Sequence, residues 1–399
     1  MNETRVLRLL RDQDRRLRAG HLWVYSNEID NEASPLKAFE PGELVALENA
    51  QGRWLGLGYV NPHSLICARI LTRAREVPIG PGFFVHRIRT ALALRERLYP
   101  KPFYRLLFGE ADGLPGAVVD RYGDYLVVQL TTAGMEAQRA ALVDALVKVL
   151  APAGILLRND SPVREQEGLT LFIEQAHGQV PERVALEEGG CRFEVSPAEG
   201  QKTGWFYDQA ANRDRMVRYV PGRRVLDVCS YVGAWSVRAL AAGAAQATAV
   251  DASAQALELA RANAELNGFG QGLETLRGDA FDVLRELRAA GSRYDVVVLD
   301  PPAFVKRRKD LKEGGLAYRR LNEAALAVLE PDGVLVTASC SFHMSAENLL
   351  DTAQRAARHH DRQLQLLESG QQGPDHPVHP AIPETAYLKA FFLRVLPTL

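Results

Sequence analysis

Val225–Leu226–Asp227–Val228–Cys229–Ser230–Tyr231–Val232–Gly233 is followed along the chain by Val250–Asp251, Gly278–Asp279 and Leu299–Asp300–Pro301–Pro302. Short apolar runs ending in an acidic residue alternate here with helical segments, the rhythm of a parallel sheet covered on both faces. Ser253 to Asn267 reads as a helix that opens on a serine cap and closes at Asn267–Gly268. Val296 to Leu299 and Gly333 to Ala338 are predominantly apolar runs of strand length, and Phe391 to Leu396 is expected as the last strand. The fold class expected is α/β, with a Rossmann-like C-terminal sheet. Ligands of such sheets sit outside the carboxyl ends of the strands, so Asp227, Asp251, Asp279 and Asp300 are expected to line one crevice.

The loop after Val228 holds one glycine, Gly233, where a dinucleotide fingerprint holds three. Tyr231 in its middle obstructs a pyrophosphate but not a cofactor that carries no phosphate. Asp251 sits where a carboxylate accepts ribose hydroxyls, although a helix N-cap is an equally ordinary use for it. Asp279 suits an adenine amino group, with a turn aspartate as the rival reading. Pro301 and Pro302 remove backbone donors and stiffen the exit that carries Asp300. Upstream, Gln201–Lys202–Thr203–Gly204–Trp205–Phe206 offers a lysine and a hydroxyl for a carboxylate and a ring to pack beside it; an ordinary helix start is the alternative. The series as a whole, with Ser230 in the loop, predicts S-adenosylmethionine as cofactor and methyl transfer as chemistry.

Cys340, in Val336–Thr337–Ala338–Ser339–Cys340–Ser341, falls at the end of the strand expected beside the Asp300 strand. Adjacent strands lie ~4.8 Å apart, close enough for Asp300 and Cys340 to reach opposite edges of one planar base. Carbon 5 of a pyrimidine is a poor nucleophile until a thiolate adds to carbon 6, so Cys340 and Asp300 are the expected catalytic pair. A buried structural cysteine is the competing reading. An aromatic directly after Pro-Pro would suit an exocyclic amine target; here Ala303 holds that place and Phe304 follows.

A formal net charge of −1 argues against a uniformly basic nucleic-acid binder, leaving local patches to carry any such role. Lys306–Arg307–Arg308–Lys309 and Arg319 follow the Asp300 strand, and Arg16 and Arg18 precede Trp23 and Tyr25, so both clusters are expected to meet RNA phosphates. A solvated charged face is the plain alternative. The four cysteines lack CxxC spacing, and Asp375–His376–Pro377–Val378–His379–Pro380 reads as a rigid loop, so no metal is assigned. No apolar run reaches the ~18–20 residues of a membrane span. A cytoplasmic protein is expected, and a homodimer is compatible with the sequence. Its 399 residues suit more than one domain. Residues 1–75 read as a small β-rich domain, 76–188 as a central α+β domain and 189–399 as the sheet domain.

Over essentially its whole length the chain resembles the bacterial 23S rRNA cytosine-5 methyltransferases of the three-domain kind. Arg16–Leu17–Arg18–Ala19–Gly20–His21–Leu22–Trp23–Val24–Tyr25–Ser26–Asn27–Glu28–Ile29 is similar to their N-terminal PUA domain, an RNA-binding β-barrel. Gly109 to Gly123 resembles their central domain, and Gln201 to Gly204, Asp227 to Gly233, Asp300 to Phe304 and Ser339 to Ser341 resemble their catalytic motifs. The resemblance implies a class I S-adenosylmethionine-dependent methyltransferase domain, Cys340 as nucleophile, Asp300 as its motif partner, and 23S rRNA or an assembling large subunit as substrate. Many RNA cytosine-5 methyltransferases have a second cysteine beside Pro-Pro that helps release product; this chain has Ala303 and Phe304 there. Two other functions stay open from the sequence: RNA amino-group methylation, for example on guanine N2, and RNA binding with a vestigial cofactor pocket.

Overall fold

The computed structural model describes residues 4–398. The chain divides into two units: Met1–Val184 with Ser196–Trp205 and Pro374–Thr385, and Ala185–Val195 with Phe206–Gly373 and Ala386–Leu399.

The first unit opens with β1 (Val6–Arg8), α1 (Arg15–Arg18), β2 (Trp23–Val24), β3 (Leu44–Glu48), β4 (Trp54–Val60) and β5 (Ala68–Thr72). Its sheet has the order β1-β3-β4-β5-β2 around a core that includes Leu7, Leu47, Val60 and Ile70. Next come α2 (Pro81–Leu98), β6 (Phe103–Phe108), β7 (Ala117–Tyr122), β8 (Tyr125–Leu130), α3 (Ala133–Ala137), α4 (Arg139–Leu150), β9 (Gly154–Asn159) and β10 (Phe172–Gly178). These strands form a sheet ordered β10-β9-β8-β7-β6, on which Ile88 of α2 and Leu142 and Leu146 of α4 pack. α3 and α4 part at Gln138, whose ψ of 10° leaves the helical range.

The second unit contains β11 (Val184–Glu188) and β12 (Cys191–Val195) as a two-stranded sheet, then α5 (Ala210–Met216). There follow β13 (Arg224–Val228), α6 (Ala234–Ala241), β14 (Gln246–Asp251), α7 (Ala254–Leu266), β15 (Leu273–Arg277), α8 (Ala280–Ala289) and β16 (Tyr294–Leu299). The chain ends with α9 (Leu311–Leu326), β17 (Leu329–Ser339), α10 (Ala346–His359), β18 (Arg362–Gln371) and β19 (Lys389–Pro397). The seven-stranded sheet runs β15-β14-β13-β16-β17-β19-β18. The strands β13 to β17 are parallel to one another, and β19 is antiparallel to both of its neighbours, β17 and β18.

Alternation along the central strands buries both faces. Leu226, Val228, Val297 and Leu335 enter one core, whereas Val225, Val296, Val298 and Val336 enter the other. This is why the Val296 to Leu299 part of β16 reads as an unbroken apolar run. The order turns back between β13 and β16, so the crevice at their carboxyl ends is the topological switch point, where ligands of open sheets bind. β18 was not foreseen: it is an edge strand with alternating polar residues, and Leu366 is 48% exposed.

Candidate functional site

Beyond β13 the backbone turns sharply. Cys229 (φ 64°), Tyr231 (φ 48°) and Gly233 (φ 78°) all take left-handed conformations. Gly233 is required there, since a Cβ would meet the Cβ of Ala260 on α7 at 2.9 Å. Asp227, fully buried, braces the turn by accepting from the Ser236 amide (3.1 Å) and hydroxyl (2.7 Å) on one oxygen. Its other oxygen, like the buried hydroxyl of Ser230, has no hydrogen-bond partner among the described residues. Burial pushes the Asp227 carboxyl up to about 7, against the Ser236 hydrogen bond.

Asp251 closes β14 and ties the neighbouring loops together, accepting from the amides of Tyr231 and Ser253, each at 2.9 Å. A carboxylate has about four lone-pair sites, so capacity remains for ribose hydroxyls. Asp279 caps α8 through the amides of Phe281 (2.9 Å) and Asp282 (3.4 Å). The Phe206 and Tyr231 rings meet edge to face, 5.6 Å apart. An adenosine-bearing group without phosphates fits this donor set, because Ser230 and Asp227 present polar atoms that no described residue satisfies.

Asp300 follows β16 directly. Its oxygens accept from Gln209 Nε2 (2.7 Å) and Trp235 Nε1 (3.1 Å). Burial holds its carboxyl above the usual range, opposed by the Trp235 hydrogen bond and assisted by the charge of Asp208. Pro301 is buried beside it and Pro302 is exposed. Beneath, Arg213 grips Glu188 (2.5 and 2.7 Å) and the Phe206 carbonyl (2.8 Å). Gln209, Trp235 and Arg213 escaped the sequence reading because their link to Asp300 spans distant segments.

The register pairs Leu299 with Thr337, so Asp300 stands level with Ala338 and Cys340 lies two residues further along. Cys340 is half-buried, whereas Cys67 and Cys191 are buried. Its neighbours fix its direction. Ser339 and Ser341 are both buried and both meet the Tyr318 hydroxyl of α9, at 2.8 and 3.1 Å, and Ser341 also accepts from the Val305 amide at 3.2 Å. The Phe304 ring packs edge to face on Tyr318, with centroids 4.8 Å apart. On the far side, β19 begins with Lys389, whose ammonium donates to the carbonyls of Ser341 (2.5 Å) and Tyr387 (2.9 Å). Neither Tyr318 nor Lys389 was singled out from the sequence, although a lysine opening an apolar strand was the visible signal.

The remaining candidates are distributed. Gln201, Lys202, Thr203 and Gly204 belong to the first unit. There the Thr203 hydroxyl donates to Asp120 (2.5 Å), and its carbonyl accepts from the Tyr122 hydroxyl (3.0 Å). Lys306, Arg307, Arg308 and Lys309 are exposed, with Arg307 paired to Asp310 at 3.1 Å, and Arg319 pairs with Glu323 at 2.8 Å. Arg16 is engaged internally, at 2.8 Å from Glu28 and over the Tyr25 ring, while Arg18 pairs with Asp14 at 3.2 Å. No described helix is long and apolar enough to cross a membrane.

Residues 7–73 match the family model of a PUA-like domain, and residues 172–394 match that of an S-adenosylmethionine-dependent methyltransferase. The chain is 39% identical over 393 residues to ribosomal RNA large subunit methyltransferase I of Aliivibrio fischeri (strain MJ11), covering 97% of this chain and 98% of that one. The protein of the same name from Vibrio cholerae is 38% identical over 401 residues, covering 98% and 100%. Among solved structures, a methyltransferase complexed with SAH superposes with a TM-score of 0.84 at 21% identity, over 98% of this chain and 100% of that one. A SAM-dependent methyltransferase from Streptococcus mutans gives 0.82 at 21% identity over the same shares. At such identities the structural likeness speaks for the fold alone.

Proposed function

The chain belongs to the S-adenosylmethionine-dependent ribosomal RNA large subunit methyltransferase I family, and from that premise we propose that it methylates carbon 5 of a cytosine in 23S ribosomal RNA through a covalent bond to Cys340. S-adenosylmethionine, its cofactor, supplies when bound a methyl group made electrophilic by a sulfonium centre. The loop residues Ser230, Tyr231 and Gly233, with Asp227, Asp251, Asp279, Phe206 and Pro301, would hold it at the sheet's carboxyl end. Gln201, Lys202, Thr203 and Gly204 are proposed to contribute as well, Thr203 by its backbone since its hydroxyl is taken by Asp120.

The single observation carrying this reading is the half-buried thiol of Cys340, two residues beyond the level of Asp300 on the adjacent strand. As a thiolate it would add to carbon 6 of the base, and the displaced electron pair makes carbon 5 nucleophilic. Asp300, its carboxyl raised in proton affinity, would hold the proton that stabilises charge at N3. Loss of the proton from carbon 5 would then expel Cys340, with Asp300 or an ordered water as the candidate base. Amino-group transfer is less well supported, because Phe304, the ring it would use as a platform, already packs on Tyr318.

In this reading residues 1–75, 76–188 and 189–399 act as RNA-binding, central and catalytic domains. The exposed Lys306 to Lys309 run, with Arg319 and Arg18, would track RNA phosphates and make binding salt-sensitive, with Arg16 joining them only by leaving Glu28. The test is nucleoside analysis of 23S rRNA methylated in vitro with labelled cofactor. Label in 5-methylcytidine is expected; label in an N-methylated purine would overturn the proposal.

A further inference from the structure

Lys389 occupies a setting in which a lysine is costly. It pairs with Ser339 across the β17–β19 ladder, one residue before Cys340 on the partner strand. Its Nζ lies 2.5 Å from the carbonyl oxygen of Ser341, one residue after Cys340, and 2.9 Å from that of Tyr387. Among the described residues no carboxylate lies within ion-pair distance of it. A charge withdrawn from water needs an opposite charge, and carbonyl dipoles compensate only part of that cost. The charged group that acts on Lys389 is Cys340. From α9, the other titratable group facing Cys340 is the Tyr318 phenol, held in place by Ser339 and Ser341.

We propose that Lys389 is a positioning residue for the nucleophile: it grips the Ser341 carbonyl, so fixing the turn that carries Cys340, and it is the counter-charge of the Cys340 thiolate. When the thiol ionises, the S–H bond breaks and an N–H bond forms on the amine lone pair of Nζ. A neutral thiol–amine pair thereby becomes a thiolate–ammonium pair of the same net charge, so no carboxylate is needed at this spot. Burial lowers the Lys389 ammonium to about 8, against the raising effect of the thiolate, which brings its proton affinity close to that of a free thiol at ~8.5.

The inference takes its importance from the covalent reading of Cys340, yet its test requires no RNA. Alkylation of Cys340 by iodoacetamide, followed by peptide mass from about pH 6 to about pH 10, reports the thiolate directly. Lys389→Met is expected to slow alkylation of Cys340 at pH 7 about ten-fold or more and to move its midpoint up by about one pH unit. Lys389→Arg, whose charge is permanent, should keep the midpoint at or below the wild-type value. Lys389→Gln retains N–H donors for the carbonyls without the charge, and serves the same purpose if the methionine variant does not fold. An unchanged midpoint and rate in the uncharged variants would overturn the inference. Failure of the covalent reading would look different: a normal titration with no bond to RNA.

Discussion

Buried Arg69 in the first unit is held by Glu167 at 3.1 Å, and the same carboxylate accepts from Asn61 (2.8 Å) and Ser64 (3.1 Å). Arg95 grips Asp112 at 2.6 and 2.8 Å, and Arg105 grips Asp120 at 2.7 and 2.8 Å. At the carboxyl end of the second unit's sheet the pattern is reversed. Among the described residues, Asp227 keeps a buried oxygen without a partner, the Asp300 carboxylate accepts from neutral N–H donors, and Lys389 rests on carbonyls. Closed ion pairs lock a fold, whereas open ones shift proton affinities and leave hydrogen-bonding capacity for a ligand. On the proposed function, the contrast separates polar groups that serve structure from polar groups that would serve chemistry.

The largest expected effect comes at the open end. Cys340→Ala should lower single-turnover methyl transfer on the order of 10³-fold or more while leaving the unfolding midpoint nearly unchanged. Glu167→Gln should do the converse, because it leaves Arg69 buried and unpaired. A loss of about 3–5 kcal/mol in denaturant unfolding is expected, with kcat per folded molecule retained. A loss below about 1 kcal/mol would break the contrast from the structural side.

Asp227→Asn sharpens it through pH. The folded carboxyl, raised to about 7, binds its proton more tightly than the unfolded one at 3.8. Its contribution is therefore fully present below about pH 4 and is lost as pH rises through about 7. Asparagine keeps an oxygen for Ser236 without the charge, so the variant should gain on the order of 2 kcal/mol over wild type above neutral pH and show a flatter stability profile. Equal slopes in the two proteins would count against a raised Asp227. The smallest effect belongs to Ser230→Ala. With no hydrogen bond to lose, stability should change by less than about 0.5 kcal/mol, while calorimetry should find cofactor binding weakened about 5–10-fold.

The sheet was legible because central parallel strands must be apolar on both faces, and β13, β14 and β16 advertise that in sequence. β18 was hidden by its edge position, which tolerates polar residues, and the division between α3 and α4 at Gln138 by an apolar period that runs through it. At the candidate site, the strand-end positions of Cys340 and Asp300 were readable in the sequence. Their supports were not: Gln209 reaches Asp300 across 91 residues and Lys389 reaches Ser341 across 48, distances that no local pattern encodes. The Thr203 hydroxyl, read as a cofactor ligand, is already taken by Asp120 for the same reason.

The most direct test of the central claim uses RNA carrying 5-fluorocytosine at the target, where the fluorine prevents the final loss from carbon 5 and so traps any sulfur–base bond. With cofactor, the wild-type protein should form a denaturant-stable adduct mapping to Cys340, absent from Cys340→Ala. Methylated product without an adduct, or an adduct undiminished in the alanine variant, would contradict the account.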